Sequence, residues 1–91
     1  MTTKVNDAVV TLKWAYGRTG YPELRPNETL CEVTLEQNGE TKVATGLAWK
    51  TENDLFNKEI ARKQSLKRAL TENKFTRAER TVVYNAYFAR K

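Results

Sequence analysis

The stretch ARKQSLKRAL, residues 61–70, combines four basic residues with apolar residues at helical spacing. Basic side chains on one connected helix surface bind phosphate groups through charge attraction and hydrogen bonds. The same pattern is also typical of an ordinary solvated helix face, and both interpretations stay open. If the stretch is a binding site, its residues are Arg62, Lys63, Lys67 and Arg68, with Lys58 one turn earlier.

Residues that commonly carry catalysis are scarce. The chain has no histidine, which excludes imidazole acid–base chemistry, Ser-His-Asp and Cys-His arrangements and histidine zinc sites. Its single cysteine, Cys31, cannot complete a tetrahedral metal site. Asp54 and Glu59 would point about 140° apart around a helix, which is a poor arrangement for a catalytic pair. We therefore predict a protein that is not an enzyme and has no cofactor.

Length and charge are those of a small basic globular protein. Ninety-one residues, 40% hydrophobic and 30% charged, are enough for one domain over residues 1–91. The net charge of +5 favours an anionic partner such as nucleic acid, a nucleoprotein or an acidic protein surface, or serves solubility alone. A lone cysteine and the absence of a long apolar run lead us to expect a cytoplasmic protein without a membrane partner.

Three segments, residues 8–16, 29–36 and 41–49, alternate with the two-residue period of a half-buried strand. Their apolar positions are Ala8, Val10, Leu12, Trp14 and Tyr16, then Cys31, Val33 and Leu35, then Val43, Leu47 and Trp49. We expect these positions to form the core, with the cysteine as a small inert hydrophobe and both tryptophans buried.

The segment QNGE after the second strand predicts a hairpin. A two-residue loop would place the apolar positions of the two strands on opposite faces of the sheet. A three-residue loop, residues 37–39, pairs Val33 with Val43 and Glu36 with Glu40, so that both apolar sets share one face. We therefore predict the three-residue loop, a type I turn whose glycine lies in a bulge.

From Thr51 the period becomes helical, and the run from Thr51 to Asp54 is typical of a helix start. The apolar positions that follow are Leu55, Phe56, Ile60, Leu66, Ala69 and Leu70. On a straight helix, Arg62, Lys63 and Lys67 would fall inside the apolar arc. Either the helix bends near Ala61, which we favour, or the basic stems lie along apolar surface.

A second helix is predicted to start at Thr76-Arg-Ala-Glu79, which matches a capping box. Its apolar stripe is Val82, Val83, Ala86 and Tyr87, with Phe88 near the edge. The order is β-β-β-α-α, and the simplest two-layer answer is an α+β fold, a three-stranded antiparallel sheet with both helices packed on one face.

The segment GRTGYPELRPNE, residues 17–28, is rich in glycine and proline and predicts a long loop. Tyr21 lies in this loop between Arg18 and Arg25. An exposed aromatic ring can stack on a nucleobase, and arginines beside it can bind phosphates. These three residues are therefore further candidates for contact with a partner.

Residues 46–70 carry a motif, Gly46-x-Ala48, Asp54-x-Phe56-Asn57-Lys58, Arg62-Lys63 and Leu66-x-Arg68-Ala69-Leu70. It is similar to a motif of small, mostly uncharacterised proteins of bacteriophages and mobile elements. The resemblance implies a short phage-type protein inside a bacterium, of a kind that often blocks a host enzyme or defence complex stoichiometrically, as anti-CRISPR proteins do. The small residues at 46 and 48 would also let a backbone or a partner approach closely.

Two functions are consistent with these observations, and a third, a small enzyme, would require a metal ion bound by carboxylates. The first is a non-enzymatic binding protein that inhibits a bacterial host protein or a defence nucleoprotein complex through the basic helix and the Arg18–Arg25 loop. The second is a protein that binds double-stranded RNA or DNA directly, without enzymatic activity. The order β-β-β-α resembles part of a double-stranded-RNA-binding domain, although that domain's N-terminal helix and Lys-Lys helix start are missing.

Overall fold

The computed structural model describes residues 1–17, 23–49 and 57–89 and shows an antiparallel sheet followed by two helices. The strands are β1 (Thr2–Val5), β2 (Ala8–Tyr16), β3 (Glu28–Gln37) and β4 (Glu40–Trp49), and the helices are α1 (Lys58–Glu72) and α2 (Arg77–Ala89). The strand order in the sheet is β1-β2-β3-β4, so strands that are adjacent in the chain are paired. The predicted α+β class, with the sheet first and the helices after it, is confirmed.

The sheet has four strands instead of the predicted three. β1 pairs with β2, and Val5 lies opposite Ala8, so the turn between them consists of Asn6 and Asp7. Asn6 is left-handed, with a φ of 54°, a conformation that asparagine adopts more readily than most residues. The prediction misses β1 because its sequence TTKV has one aliphatic side chain and no apolar alternation.

One face of the sheet, called here the helix-covered face, carries the core. α1 lies over β3 and β4, and α2 lies over β1 and β2. The buried core residues of the sheet include Ala8, Val10, Leu12, Cys31, Val33 and Leu35, and those of the helices include Leu66, Ala69, Leu70, Val83, Ala86 and Tyr87. These positions of the first two predicted strands are buried as expected, whereas Trp14 and Tyr16 are only partly buried at the end of β2.

The hairpin between β3 and β4 differs from the prediction. The turn has two residues, Asn38 and Gly39, and Val33 lies opposite Ala44 instead of Val43. Both turn residues have positive φ, 54° and 75°, as a type I′ turn requires. This turn fits the right-handed twist of the strands, and it rotates every side chain of β4 to the face opposite to the predicted one.

As a result, β4 presents its small side chains to the helices. Ala44, Gly46 and Ala48 are buried on the helix-covered face, whereas Val43 and Trp49 are 59% and 55% exposed on the other face. We call that second face the open face. The expectation that the large side chains of β4 form the core is therefore wrong.

Gly46 explains this choice of face. A Cβ atom at this position would overlap the backbone of Ser65 and Ala69 in α1. The helix backbone therefore lies directly against the strand, an approach that only the smallest residues allow. The interpretation that residue 46 permits close approach of a backbone is confirmed.

α1 begins at Lys58, and Asn57 is its N-cap. The Asn57 side chain accepts a hydrogen bond of 3.1 Å from the backbone N–H of Ile60. The helix start that we predicted at Thr51–Asp54 lies outside the described residues, as do Leu55 and Phe56. Ile60, expected at an apolar position, is 53% exposed.

α2 begins with the predicted capping box. The backbone N–H of Thr76 donates to Glu79 Oε1 at 2.8 Å, and the backbone N–H of Glu79 donates to Thr76 Oγ1 at 3.1 Å. A capping box depends on residues close in sequence, which is why the pattern alone was sufficient to predict it. Neither of the two described helices has the length and apolar character needed to cross a membrane.

Glu79 also ties α2 to the sheet, and this link depends on pH. Lys42 Nζ lies 2.8 Å from Glu79 Oε1, and this hydrogen bond, with that from the Thr76 N–H, holds the pKa of Glu79 below its ordinary value of 4.5. A lowered carboxyl pKa stabilises the fold above the unfolded-state pKa, and the stabilisation is lost as the pH falls through the folded-state pKa. We expect Glu79→Gln to reduce the free energy of unfolding at pH 7 by about 1 kcal/mol.

The measurement is urea unfolding of both proteins at several pH values. The difference between them should be constant well above pH 4.5 and should shrink below it. Glu40→Gln, the same change at an exposed hairpin position, should alter stability by no more than about 0.5 kcal/mol. A difference that stays constant down to pH 2 would contradict the role given to the Glu79 carboxylate.

Candidate functional site

Arg62 is held on the aromatic side chains of β2. Its Nε donates a 2.8 Å hydrogen bond to the hydroxyl of Tyr16, and its guanidinium carbon lies 5.8 Å from the centroid of the Trp14 ring. The side chain is 26% exposed. Arg62 therefore lies along the apolar surface, the arrangement that we did not favour over a bend near Ala61.

Lys58 and Glu59 extend this arrangement through the first turn of α1. Lys58 Nζ lies 5.0 Å from the centroid of the Tyr16 ring. Glu59 Oε1 accepts a 3.0 Å hydrogen bond from the hydroxyl of Tyr87, which joins α1 to α2. The carboxylate also lies 4.0 Å from Arg62 and 3.9 Å from Lys63. These contacts give Lys58 and Arg62 a role in holding the helix to the sheet.

Trp14 lies at the centre of the same group of side chains. Its ring meets that of Tyr87 edge to face, with centroids 5.9 Å apart. The indole Nε1 is buried, and no hydrogen-bond acceptor from the described residues reaches it. The expectation that Trp14 belongs to the core is thus met in part, since it packs at the edge of the core.

Arg68 lies on the opposite side of α1, at the free edge of β4. Its Nη1 donates a 2.9 Å hydrogen bond to the carbonyl of Leu47, and its guanidinium carbon lies 4.3 Å from the centroid of the Trp49 ring. Asn73 Nδ2 donates to the next outward-facing carbonyl, that of Thr45, at 3.0 Å. Side chains of α1 and its C-cap therefore cover part of the strand edge.

Lys63 and Lys67 point away from the sheet. Both are exposed, and they are one helical turn apart. Lys63 is 55% exposed and lies at the limit of an ion pair with Glu59. Among the carboxylates of the described residues, none forms an ion pair with Lys67. Lys67 and Arg68 line a shallow depression of about 310 Å³ together with Gln64, Thr71 and Glu72.

The loop that carries the second group of candidates is described only in part. Arg18 and Tyr21 lie outside the described residues. Arg25 is exposed, its backbone N–H donates to Glu28 Oε1 at 2.7 Å, and its carbonyl accepts from the backbone N–H of Glu28 at 3.0 Å. The structure thus fixes the backbone of Arg25 at the start of β3, and the contribution of the loop to binding stays a prediction.

The cysteine and the serine of the described residues are both buried. Cys31 is fully buried in the core, and burial together with the nearby charge of Glu32 raises the pKa of its thiol to about 12. Ser65 is also buried, and its hydroxyl donates to the carbonyls of Ala61 and Arg62 at 2.8 and 3.1 Å. In the part of the chain that the structure describes, no group of three His, Cys, Asp or Glu residues could hold a metal ion.

Comparison with protein-family models, with curated proteins and with solved structures finds no match to this chain. The function therefore has to be inferred from the surface. Sequence reasoning identified the basic residues of α1 but missed the exposure of Trp49 next to Arg68. Two features of the sequence indicate that Trp49 is exposed. One is the Asn38-Gly39 dipeptide, which favours a two-residue turn, and the other is the small residues of β4.

Proposed function

We propose that this chain is a non-enzymatic binding protein that occupies an anionic surface of a bacterial protein or nucleoprotein complex and blocks it stoichiometrically. The observation that carries the proposal is the exposed ammonium group of Lys67, which has no ion-pair partner among the described carboxylates. Lys63 lies one turn earlier. Exposed cations in this position are available to phosphates or carboxylates of another molecule.

The charge of α1 supports this choice of surface. The helix has five basic and two acidic residues, a net charge of +3 in a chain of +5. Arg62 and Lys58 contact side chains of β2, whereas Arg68 contacts the exposed ring of Trp49 at the free edge of β4, so the set proposed to contact a partner is Lys63, Lys67 and Arg68. The resemblance of residues 46–70 to small phage proteins adds the setting, a bacterial cell in which such a protein would block a host enzyme or a defence complex.

The proposal predicts a charge-dependent complex. We expect Lys63→Gln combined with Lys67→Gln to weaken capture of a partner from bacterial lysate roughly tenfold at low salt. Both side chains are exposed, so each change should alter the free energy of unfolding by no more than about 0.5 kcal/mol. The measurement is affinity capture on the immobilised chain, with and without nuclease, combined with thermal unfolding of each variant.

The matched control is Lys4→Gln combined with Lys13→Gln. These lysines are exposed on the open face, away from α1, and their replacement removes the same charge. The control should retain the partner. Equal capture of the partner by the two double variants would contradict the proposal. A wild-type chain that captures no partner at a ratio near one to one would contradict it as well.

Direct binding of nucleic acid, without a protein partner, is the second candidate. The exposed ring of Trp49 favours it, because non-specific binding of single strands combines stacking aromatic side chains with a positively charged surface. Nuclease separates the two candidates. A partner protein that stays bound after nuclease supports the first, and complete loss of captured material supports the second.

A further inference from the structure

The exposed ring of Trp49 and the half-buried side chain of Arg68 form an aromatic and cationic pair at the free edge of the sheet. The guanidinium group lies over the indole ring, 4.3 Å from its centroid, and its hydrogen bond to the Leu47 carbonyl fixes it there. More than half of the Trp49 side chain is exposed. The ring is thus held in place and is still accessible to a second planar group.

Positive charge without neutralisation lies beside this ring. Lys67 precedes Arg68 in α1 and lines one depression with it, and neither makes an ion pair with a carboxylate of the described residues. Glu72 also lines the depression, although it forms no ion pair there within 4.0 Å. A stacking ring with two adjacent cations fits a base together with its phosphates.

We propose that Trp49 stacks on an unpaired base of a single-stranded nucleic acid whose phosphates contact Arg68 and Lys67. The inference rests on the second candidate function, direct binding of nucleic acid, because it names the nucleic acid and the residues of the chain that contact it. Bases in a duplex are already stacked on one another, so an exposed ring selects unpaired nucleotides.

The charges on the sheet favour nucleic acid at this edge. β3 places Glu28, Glu32 and Glu36 in a row on the open face, beside the strand that carries Trp49. Glu28 lies opposite Trp49, and Lys13 lies opposite Glu32 with Lys4 on the same face, so the strands offer three carboxylates and two ammonium groups there. α1, with a net charge of +3, attracts a polyanion more strongly. A single-stranded nucleic acid would therefore lie along the edge of the sheet between β4 and α1, where the ring of Trp49 and the cations are located.

The test is fluorescence anisotropy with a labelled oligothymidylate of 12 nucleotides in about 50 mM salt. We expect Trp49→Ala to weaken binding about ten- to a hundredfold, since stacking on one aromatic side chain accounts for an effect of this order. Trp49→Phe should restore most of the affinity, because phenylalanine retains a stacking face. Binding should also quench tryptophan fluorescence in the wild-type chain and leave it unchanged in both variants.

The control variant is Phe88→Ala. Phe88 is an aromatic residue of α2 with 56% exposure, similar to that of Trp49, and it is distant from Lys67 and Arg68 in the chain. Its replacement should leave the affinity for the oligonucleotide within about twofold. Thermal unfolding of each variant shows whether the fold is intact, and a 12-nucleotide abasic strand provides the same phosphates without bases.

The outcomes separate this inference from the proposed function. Preference for the single strand over a duplex and over the abasic strand, lost in Trp49→Ala and restored in Trp49→Phe, supports stacking. Equal affinity for the normal and abasic strands, or an unchanged affinity of Trp49→Ala, overturns it. If no oligonucleotide binds but nuclease-resistant capture of a protein requires Lys63 and Lys67, stacking is wrong and the proposed function stands. If capture fails as well, both are wrong.

Discussion

Gly46→Ala is expected to lower the free energy of unfolding by about 3 kcal/mol. The added methyl group would overlap the backbone of Ser65 and Ala69, so α1 would have to move away from β4. A helix cannot relieve such a contact by changing a rotamer, and the displacement would loosen the packing of Leu66 and Leu70, which are fully buried. In a domain of this size the change corresponds to a decrease in Tm of about 12–24 °C, which calorimetry or circular dichroism can measure.

The comparison is with Gly39→Ala in the hairpin turn. Gly39 has a φ of +75° but has no atom within 4 Å of an added Cβ, so the same substitution there tests conformational strain without overlap. Its expected effect is smaller, about 1 kcal/mol. A loss at Gly46 that is no larger than the loss at Gly39 would show that α1 lies farther from the strand than described.

Leu66→Ala is expected to have an effect of similar or larger size, a loss of about 3–4 kcal/mol. Leu66 is fully buried on the face of α1 that packs on the sheet. Removing its isopropyl group would leave a cavity among core side chains that belong to several elements, and such a site collapses only partly. Urea unfolding should show a lower midpoint with an unchanged m value, because the same surface is still exposed on unfolding.

Ile60→Ala provides the matched control on the same helix. Ile60 is also a branched aliphatic residue, but it is more than half exposed, so its truncation should change stability by no more than about 0.5 kcal/mol. Comparable losses at both positions would mean that α1 is rotated relative to the orientation found here.

The sequence predictions were correct for features that depend on residues close together in the chain, and wrong for a feature that depends on distant residues. The capping box of α2 and the alternation of β2 and β3 each depend on residues a few positions apart, and these predictions were correct. The face of β4 depends instead on how close α1 approaches, which involves Gly46 and residues of a helix far along the chain. The alternation within β4 alone therefore favoured the larger side chains as core residues, but the packing of α1 against the strand places the small side chains there.

The candidate site shows the same division. Composition and helical spacing were sufficient to select the basic residues of α1, because charge is read directly from the sequence. The different contacts that these residues make could not be predicted from the sequence. Arg62 and Arg68 have partners on opposite edges of the helix, Tyr16 and Leu47, and each contact requires the register of the sheet beneath α1. The surface formed by Trp49 likewise depends on a turn that is one residue shorter than predicted.

The order of the strands has a consequence for the rate of folding. A meander pairs each strand with its neighbour in the chain. The β1–β2 and β3–β4 ladders close through two-residue turns, where the loss of loop entropy is small, whereas the β2–β3 ladder closes across residues 17–27. α1 follows the same rule, because it packs on β4, the strand immediately before it. α2, in contrast, contacts β1 and β2 from the other end of the chain, as Tyr87 does with Trp14. The entropic barrier of this topology therefore lies in two steps, the pairing of β2 with β3 across residues 17–27 and the docking of α2 on the first two strands.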